Sequence, residues 1–164
     1  CKLLLDHDNI MQKLKRLAYQ LAEDLYDEEE IVLFGIKQNG YLLAKEISKK
    51  LNDIGTLKVS LHALTINKKA PHNTEILVEV DINSLTNKTI VIVDDVANTG
   101  KIISYSIKPF LNILPKKLRT LVLVDRKHKA FPVSVDYAGL SLATTMKEQI
   151  KVEFNKGRVN AYLC

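Results

Sequence analysis

Two adjacent carboxylates, Asp94 and Asp95, directly follow the run Ile90-Val91-Ile92-Val93 and directly precede Val96-Ala97-Asn98-Thr99-Gly100-Lys101. The run is continuously apolar and β-branched, the composition of a strand covered on both faces. The acids therefore sit where a buried strand leaves its sheet. Gly100 permits a turn that aims several backbone N–H groups at one point. Thr99 adds a hydroxyl, and a helix starting nearby would turn its positive dipole end toward the loop. Acceptors beside an anion cradle suit a sugar phosphate: the acids take ribose hydroxyls and the loop takes the phosphate. Each residue alone has an ordinary reading, turn chemistry for the paired Asp and a cap for Thr-Gly. Their order and spacing behind an apolar strand are what make the combination specific.

Other elements must hold this constellation in place. Ile10, Met11, Leu14, Leu17, Ala18, Leu21, Ala22 and Leu25 recur at helical spacing, which predicts a helix over Asp8–Tyr26 with Asp8 as N-cap. Ile31–Ile36 reads as a short buried strand, Lys37-Gln38-Asn39-Gly40 as a polar loop and Tyr41–Leu51 as a helix. Leu57–Ile66 and Ile76–Val80 read as two arms of a hairpin around the breaker-rich loop Asn67–Asn73. Gly100–Leu114 is the helix after the motif, stopped by Pro115, and Arg119–Val124 is another apolar strand. Val133–Tyr137, Gln149–Phe154 and Val159–Leu163 are shorter strand-like runs. Alternation of strands and helices predicts an α/β fold, a doubly wound, mainly parallel sheet flanked by helices, with its ligand at the carboxyl ends of the strands.

A chain of 164 residues fits one domain, 1–164, and 46% hydrophobic content supplies a sizeable core. No run approaches the roughly 18 apolar residues of a membrane span, and no basic-then-apolar secretory pattern opens the chain. It starts at Cys1 without Met, so a few preceding residues are expected to be absent. The net charge of +5 suits a polyanionic substrate, a nucleic acid or solubility alone. Cys1 and Cys164 read as two free thiols in a reducing cytosol, and no Cys/His spacing suggests zinc.

The 89–101 segment resembles the phosphoribosyl-pyrophosphate (PRPP) signature of type I phosphoribosyltransferases. Two further segments are similar to the bifunctional pyrimidine-operon attenuator and uracil phosphoribosyltransferase family, with hypoxanthine-guanine phosphoribosyltransferases more distant. Gly35–Ala44 resembles the family's pyrophosphate loop. Leu123-Val124-Asp125-Arg126-Lys127-His128, followed by Pro132, Asp136-Tyr137 and Gly139, resembles the stretch leading into its base site. The likeness implies a transferase that attaches phosphoribosyl to a nucleobase. It implies Mg2+ as cofactor, with no protein ligand assigned, and a cytoplasmic homo-oligomer, dimer or tetramer, with RNA as a possible second partner. It implies Asp94 and Asp95 as the catalytic pair on the ribose, Ala97, Asn98, Thr99, Gly100 and Lys101 around the 5′-phosphate, and Lys37, Gln38, Asn39 and Gly40 on pyrophosphate. In relatives that last loop often carries a non-proline cis peptide. Asp125 and Ile150 would border the base. The hairpin at about 57–81 would be a small hood, with Lys68, Lys69 and His72 approaching the pyrophosphate on closure; an ordinary polar hairpin tip is the equal alternative.

The chain departs from the family pattern in four places. Asn98 stands where purine-using relatives carry an acid, and an amide cannot act as a base, which leaves pyrimidines such as uracil open. Ile102 replaces the usual Thr or Ser. Ala63-Leu64 stand where the attenuator family has an Arg-Asp pair, and Phe154–Arg158 lacks an acid for a second metal. The missing pair keeps a second function open, a PRPP- or nucleotide-sensing RNA-binding regulator with little turnover. Changing Asp94→Asn together with Asp95→Asn is expected to abolish PRPP binding without unfolding the protein, as calorimetry and circular dichroism would read; retained binding overturns the motif assignment.

Overall fold

The computed structural model describes residues 1–143 and 147–164. Its main sheet has six strands in the order β4-β3-β2-β5-β6-β7. These are β2 (Glu30–Ile36), β3 (Lys58–Thr65), β4 (Leu77–Val78), β5 (Thr89–Ala97), β6 (Lys117–Arg126) and β7 (Tyr137–Leu142). All neighbours run parallel except β4, which pairs antiparallel with the β3 edge. Alternate residues of the central strands feed two cores. Ile31, Leu33, Val91, Val93, Leu121 and Leu123 pack beneath α1 (His7–Asp24) and α2 (Asn39–Ile54). Val32, Phe34, Ile36, Ile90, Ile92 and Val122 face the opposite way, toward Ile103 and Phe110. Those two come from α3 (Lys101–Ile107) and the 3-10 turn Lys108–Asn112 that follows it. Helices thus cover both faces, and the doubly wound arrangement holds.

A second sheet joins sequence-distant segments: β1 (Lys2–Leu5), β9 (Arg158–Leu163) and β8 (Ile150–Asn155), in the order β1-β9-β8 and all antiparallel. Leu5, Ile150, Val152, Val159 and Ala161 turn their side chains into the α1/α2 core. The segment expected as a hood, 57–81, supplies β3 and β4 of the main sheet. These pair only at Leu64–Val78 and Thr65–Leu77, and the loop 66–76 projects from the strand ends.

Several expectations shift on physical grounds. The first helix starts at His7, not Asp8, because the Asp6 carboxylate accepts from the Asn9 N–H at 2.8 Å while the Asn9 side chain accepts from the Asp6 N–H. That reciprocal box places the cap at Asp6, two residues before the expected Asp8. The helix after the motif tightens into 3-10 geometry at Lys108-Pro109, since Pro109 brings no N–H to an α-helical ladder. Val133–Tyr137 is not a strand; β7 begins at Tyr137 and reaches Leu142. The Tyr137 hydroxyl donates to Asp24 at the end of α1, which fixes the strand's start.

The cysteines are not free thiols. Register Lys2↔Leu163 in the β1/β9 pair places Cys1 beside Cys164, with Cα atoms 4.3 Å apart, and the two form a disulfide. The bond closes a loop with a sequence separation of 163. Reduction, or Cys164→Ser, is expected to lower the unfolding free energy by roughly 2–5 kcal/mol, read as a shift in the denaturant midpoint. An unchanged midpoint, with two titratable thiols in the untreated protein, overturns the bond.

Candidate active site

Strand order reverses between β2 and β5: the chain leaves β2 through α2 toward β3, but leaves β5 through α3 toward β6. Such a switch point opens a crevice at the carboxyl ends of the two strands. The loop 37–40 and the segment 94–101 flank that crevice. The Lys37–Gln38 peptide is cis. Gly40 sits against the acidic pair, where a Cβ would stand 2.6 Å from the Val93 carbonyl oxygen and 2.9 Å from Asp94 Cα. Only a residue without a side chain lets α2 come this close to β5.

The cleft has a volume of about 370 Å³. Its floor and one side are Asp94, Asp95 and the whole stretch from Val96 to Ile103; its other wall is Ile150, Lys151, Val152 and Glu153 of β8, and Lys68 enters from loop 66–76. Asp94 is 1% exposed. Its Oδ1 accepts from the Asp95 N–H at 2.9 Å, and Lys68 Nζ lies 3.8 Å away. Burial, and then the neighbouring Asp95 carboxylate, push the Asp94 carboxyl well above the ordinary carboxylate range, while Lys68 draws it partly back. Asp95 is held differently. Its Oδ1 accepts from the Val96 N–H at 2.8 Å and its Oδ2 from the Asn39 side-chain amide at 3.0 Å.

The turn after the acids is built on Gly100, whose φ of +83° favours glycine. A Cβ there would also meet Val133 Cγ1 at 2.7 Å. Thr99 anchors the turn from both ends: its carbonyl accepts from the Ala130 and Phe131 N–H groups at 2.9 and 3.1 Å, and its hydroxyl accepts from the Lys101 N–H at 3.3 Å. The geometry is a concave run of backbone at a helix start, suited to a small anion. Ile102 lines the cleft without a hydroxyl.

The cleft gathers most of the sequence-derived residues, while Lys37, Gln38, Asn39, Gly40 and Asp125 are not among its lining residues. Asp94, Asp95, Ala97, Asn98, Thr99, Gly100, Lys101 and Ile150 all line the cleft. Asn39 and Gly40 reach it through Asp95 and Asp94. Asp125 stands beside Ala97 in the β5/β6 register, but its carboxylate lies 2.7 Å from Lys129 Nζ and it is not a lining residue. Asn98 Oδ1 accepts from Arg126 at 3.3 Å. Ala63 and Leu64 are buried in the sheet edge. Lys151, Val152 and Glu153 escaped the sequence reading; the exposed–buried alternation of β8 was the available signal, with nothing to say that β8 faces the motif.

A parallel sheet with this crevice, an acid pair and an anion loop defines a type I phosphoribosyltransferase fold. The chain matches the phosphoribosyl transferase domain family over residues 2–154 and belongs to it. It is a transferase that acts on PRPP. Among similar proteins, one named "Bifunctional protein PyrR" from Fusobacterium nucleatum is 32% identical over 158 residues, covering 92% of this chain and 89% of the relative. Another of that name, from Clostridium botulinum, is 33% identical over 163 residues, covering 93% and 89%. Solved structures similar in fold include the hypoxanthine phosphoribosyltransferase of Trypanosoma cruzi (TM-score 0.80, 16% identity, 98% of this chain and 95% of that one). A hypoxanthine-guanine phosphoribosyltransferase of Bacillus anthracis has a TM-score of 0.73 at 20% identity, over 87% of this chain and 82% of that one.

The raised Asp94 carboxyl has a measurable sign. An unfolded Asp loses its proton near pH 3.9, so between about pH 4 and the raised folded value the ligand-free native state binds more protons than the unfolded chain. Stability therefore falls as pH rises through that window. Asp94→Asn is expected to flatten this slope and to be more stable than the parent above the window, by about 2–4 °C in Tm per 1 kcal/mol for a domain of this size. Thermal unfolding of both proteins between about pH 4 and 8 checks it; parallel curves contradict the buried-charge account.

Proposed function

We propose that this protein transfers phosphoribosyl from PRPP to a pyrimidine base such as uracil. The observation that carries the PRPP site is the convergence of Asp94, Asp95 and the 96–101 loop on one cleft walled by β8. In this reading Asp94 and Asp95 accept from the ribose hydroxyls, Ala97, Asn98, Thr99, Gly100 and Lys101 wrap the 5′-phosphate, and Lys37, Gln38, Asn39 and Gly40 receive pyrophosphate through their backbone amides. Ile150 packs on the base, with Asp125 beyond it. The purine mechanism is disfavoured by Asn98, an amide engaged by Arg126 where a carboxylate base would be needed.

The reaction forms a bond from a ring nitrogen to the anomeric carbon as the carbon–oxygen bond to pyrophosphate breaks; the leaving oxygen keeps the electron pair, and the proton of the ring N–H passes to the leaving pyrophosphate or to water. The protein's tasks are alignment, charge screening and exclusion of water. The acids fix the sugar so that its anomeric carbon faces the β8 wall. Lys68, already over the cleft, offsets negative charge and marks loop 66–76 as the part of the 57–81 hairpin that closes. The acid pair suits Mg2+, which prefers one or two carboxylates plus substrate oxygens to an all-protein cage. Among the described residues no group of three or more His, Cys, Asp or Glu gathers to hold a metal alone. When bound, the ion would screen the charge on the leaving pyrophosphate.

A second reading, an RNA-binding regulator that senses PRPP or nucleotide, is favoured by relatives named as bifunctional and by the +5 charge. Assembly into a dimer or tetramer is part of the proposal, and exposed Leu77, Leu111 and Leu114 offer apolar surface for it. Cytoplasmic placement follows the family; the Cys1–Cys164 bond weighs against it, since disulfides are rare there.

The test is pyrophosphate release from PRPP and Mg2+ across uracil, hypoxanthine, guanine, xanthine, adenine and orotate. Release with uracil and not with purines is the expected outcome. Release with a purine overturns the pyrimidine assignment, and none with any base moves the weight to the regulator, for which a specific RNA hairpin must outcompete random RNA at physiological salt.

A further inference from the structure

We propose that Asn39 is a positioning residue whose side-chain amide ties the pyrophosphate loop, the ribose acid and the base-side wall into one unit; the inference rests on the PRPP reading of the cleft. Asn39 is the first residue of α2, immediately after the loop 37–38. Its Nδ2 donates to Asp95 Oδ2 at 3.0 Å and to the Val152 carbonyl of β8 at 2.8 Å. An amide nitrogen carries two hydrogens, so each goes to a different element, one at the end of β5 and one in the second sheet.

The Asp95 carboxylate is consequently held at both oxygens, by Asn39 on Oδ2 and by the Val96 N–H on Oδ1. Each oxygen of an ionised carboxylate can accept about two bonds, so a second acceptor position on each remains for ribose hydroxyls while the plane of the group is fixed. The other bond reaches across the cleft. Val152 and its neighbours Ile150 and Lys151 form the wall assigned to the base. Displacement of that wall must therefore pull on the same amide that orients Asp95. Asn39 can do this because Gly40 allows α2 to approach β5 closely. Aspartate at position 39 would supply no donor, and alanine would reach neither partner.

The experiment compares the full chain with Asn39→Ala by two independent readouts. Amide hydrogen exchange of the ligand-free protein should quicken in both 37–40 and 150–153, with β2, β5 and β6 unchanged; no change in either stretch overturns the tie. Calorimetric binding of PRPP with Mg2+ should weaken about tenfold, the loss of one charge-assisted hydrogen bond. KM for PRPP should rise with it, and kcat should move much less. Faster exchange with unaltered affinity and KM overturns the positioning role and leaves Asn39 purely structural. If the parent itself binds no PRPP, the functional reading falls, and the exchange rates alone decide whether Asn39 joins the two segments. Asn39→Gln, which keeps the amide but moves it by one methylene, should shift both readouts in the same direction and serves if the alanine variant does not fold.

Discussion

The structure is organised around a carboxylate that has almost no access to water. Asp94 lies within the central strand β5, against the helix that starts after β2, and is 1% exposed. A buried charge is tolerated only with donors or counter-charges nearby, and Asp94 has a backbone N–H and a distant ammonium. In the proposed reading, ribose hydroxyls would supply the donors that Asp94 lacks. Its neighbour Asp95 is well supported by comparison. The pair therefore divides labour: one acid is poised and poorly satisfied, the other is fixed in orientation.

The main sheet was legible because its strands are buried on both faces and read as unbroken apolar runs, Ile31–Ile36 and Ile90–Val93 above all. The acid pair and Thr99-Gly100 were legible because their chemistry is local, contained in eight residues after one strand. Of the second sheet, β8 and β9 were legible as the runs Gln149–Phe154 and Val159–Leu163, but β1 and the sheet itself were not, because pairing of β1 with β9 joins segments far apart in the sequence, a relation no local pattern encodes. The same blindness explains the cysteines, whose adjacency is set by that register and by nothing near either residue. The start of α1 was missed by a different route: Asp6 and Asp8 are both plausible caps by type, and only the reciprocal bond with Asn9 distinguishes them.

The two sheets carry different parts of the site. The parallel sheet presents acids and anion loop through short connections whose geometry follows from strand ends. The antiparallel sheet presents a wall, and it meets the first through apolar side chains such as Ile150 and Val152 and through the amide of Asn39. In the proposed reading, the sugar-phosphate and base sites would thus stand on separate scaffolds within one core. Only side-chain changes in β8 that leave the Val152 carbonyl on Asn39 would alter the wall while keeping Asp95 in place.

The pairing of β1 with β9 also has a consequence for the order in which the molecule assembles. Among the described residues, strand β8 is paired on one edge, by β9, and β9 on its other edge by β1. The parallel sheet, with its β2–β3 and β5–β6 neighbours, can form from segments close in sequence. The β8–β9 hairpin, turned at Lys156-Gly157, is local too, but its pairing with β1 joins distant segments, and contacts over such separations close slowly. A chain emerging from synthesis would acquire its anion loop well before its base-facing wall. The native cleft is thus the last feature to mature, and the N-terminal strand must stay unpaired, and shielded from other partners, until β9 arrives.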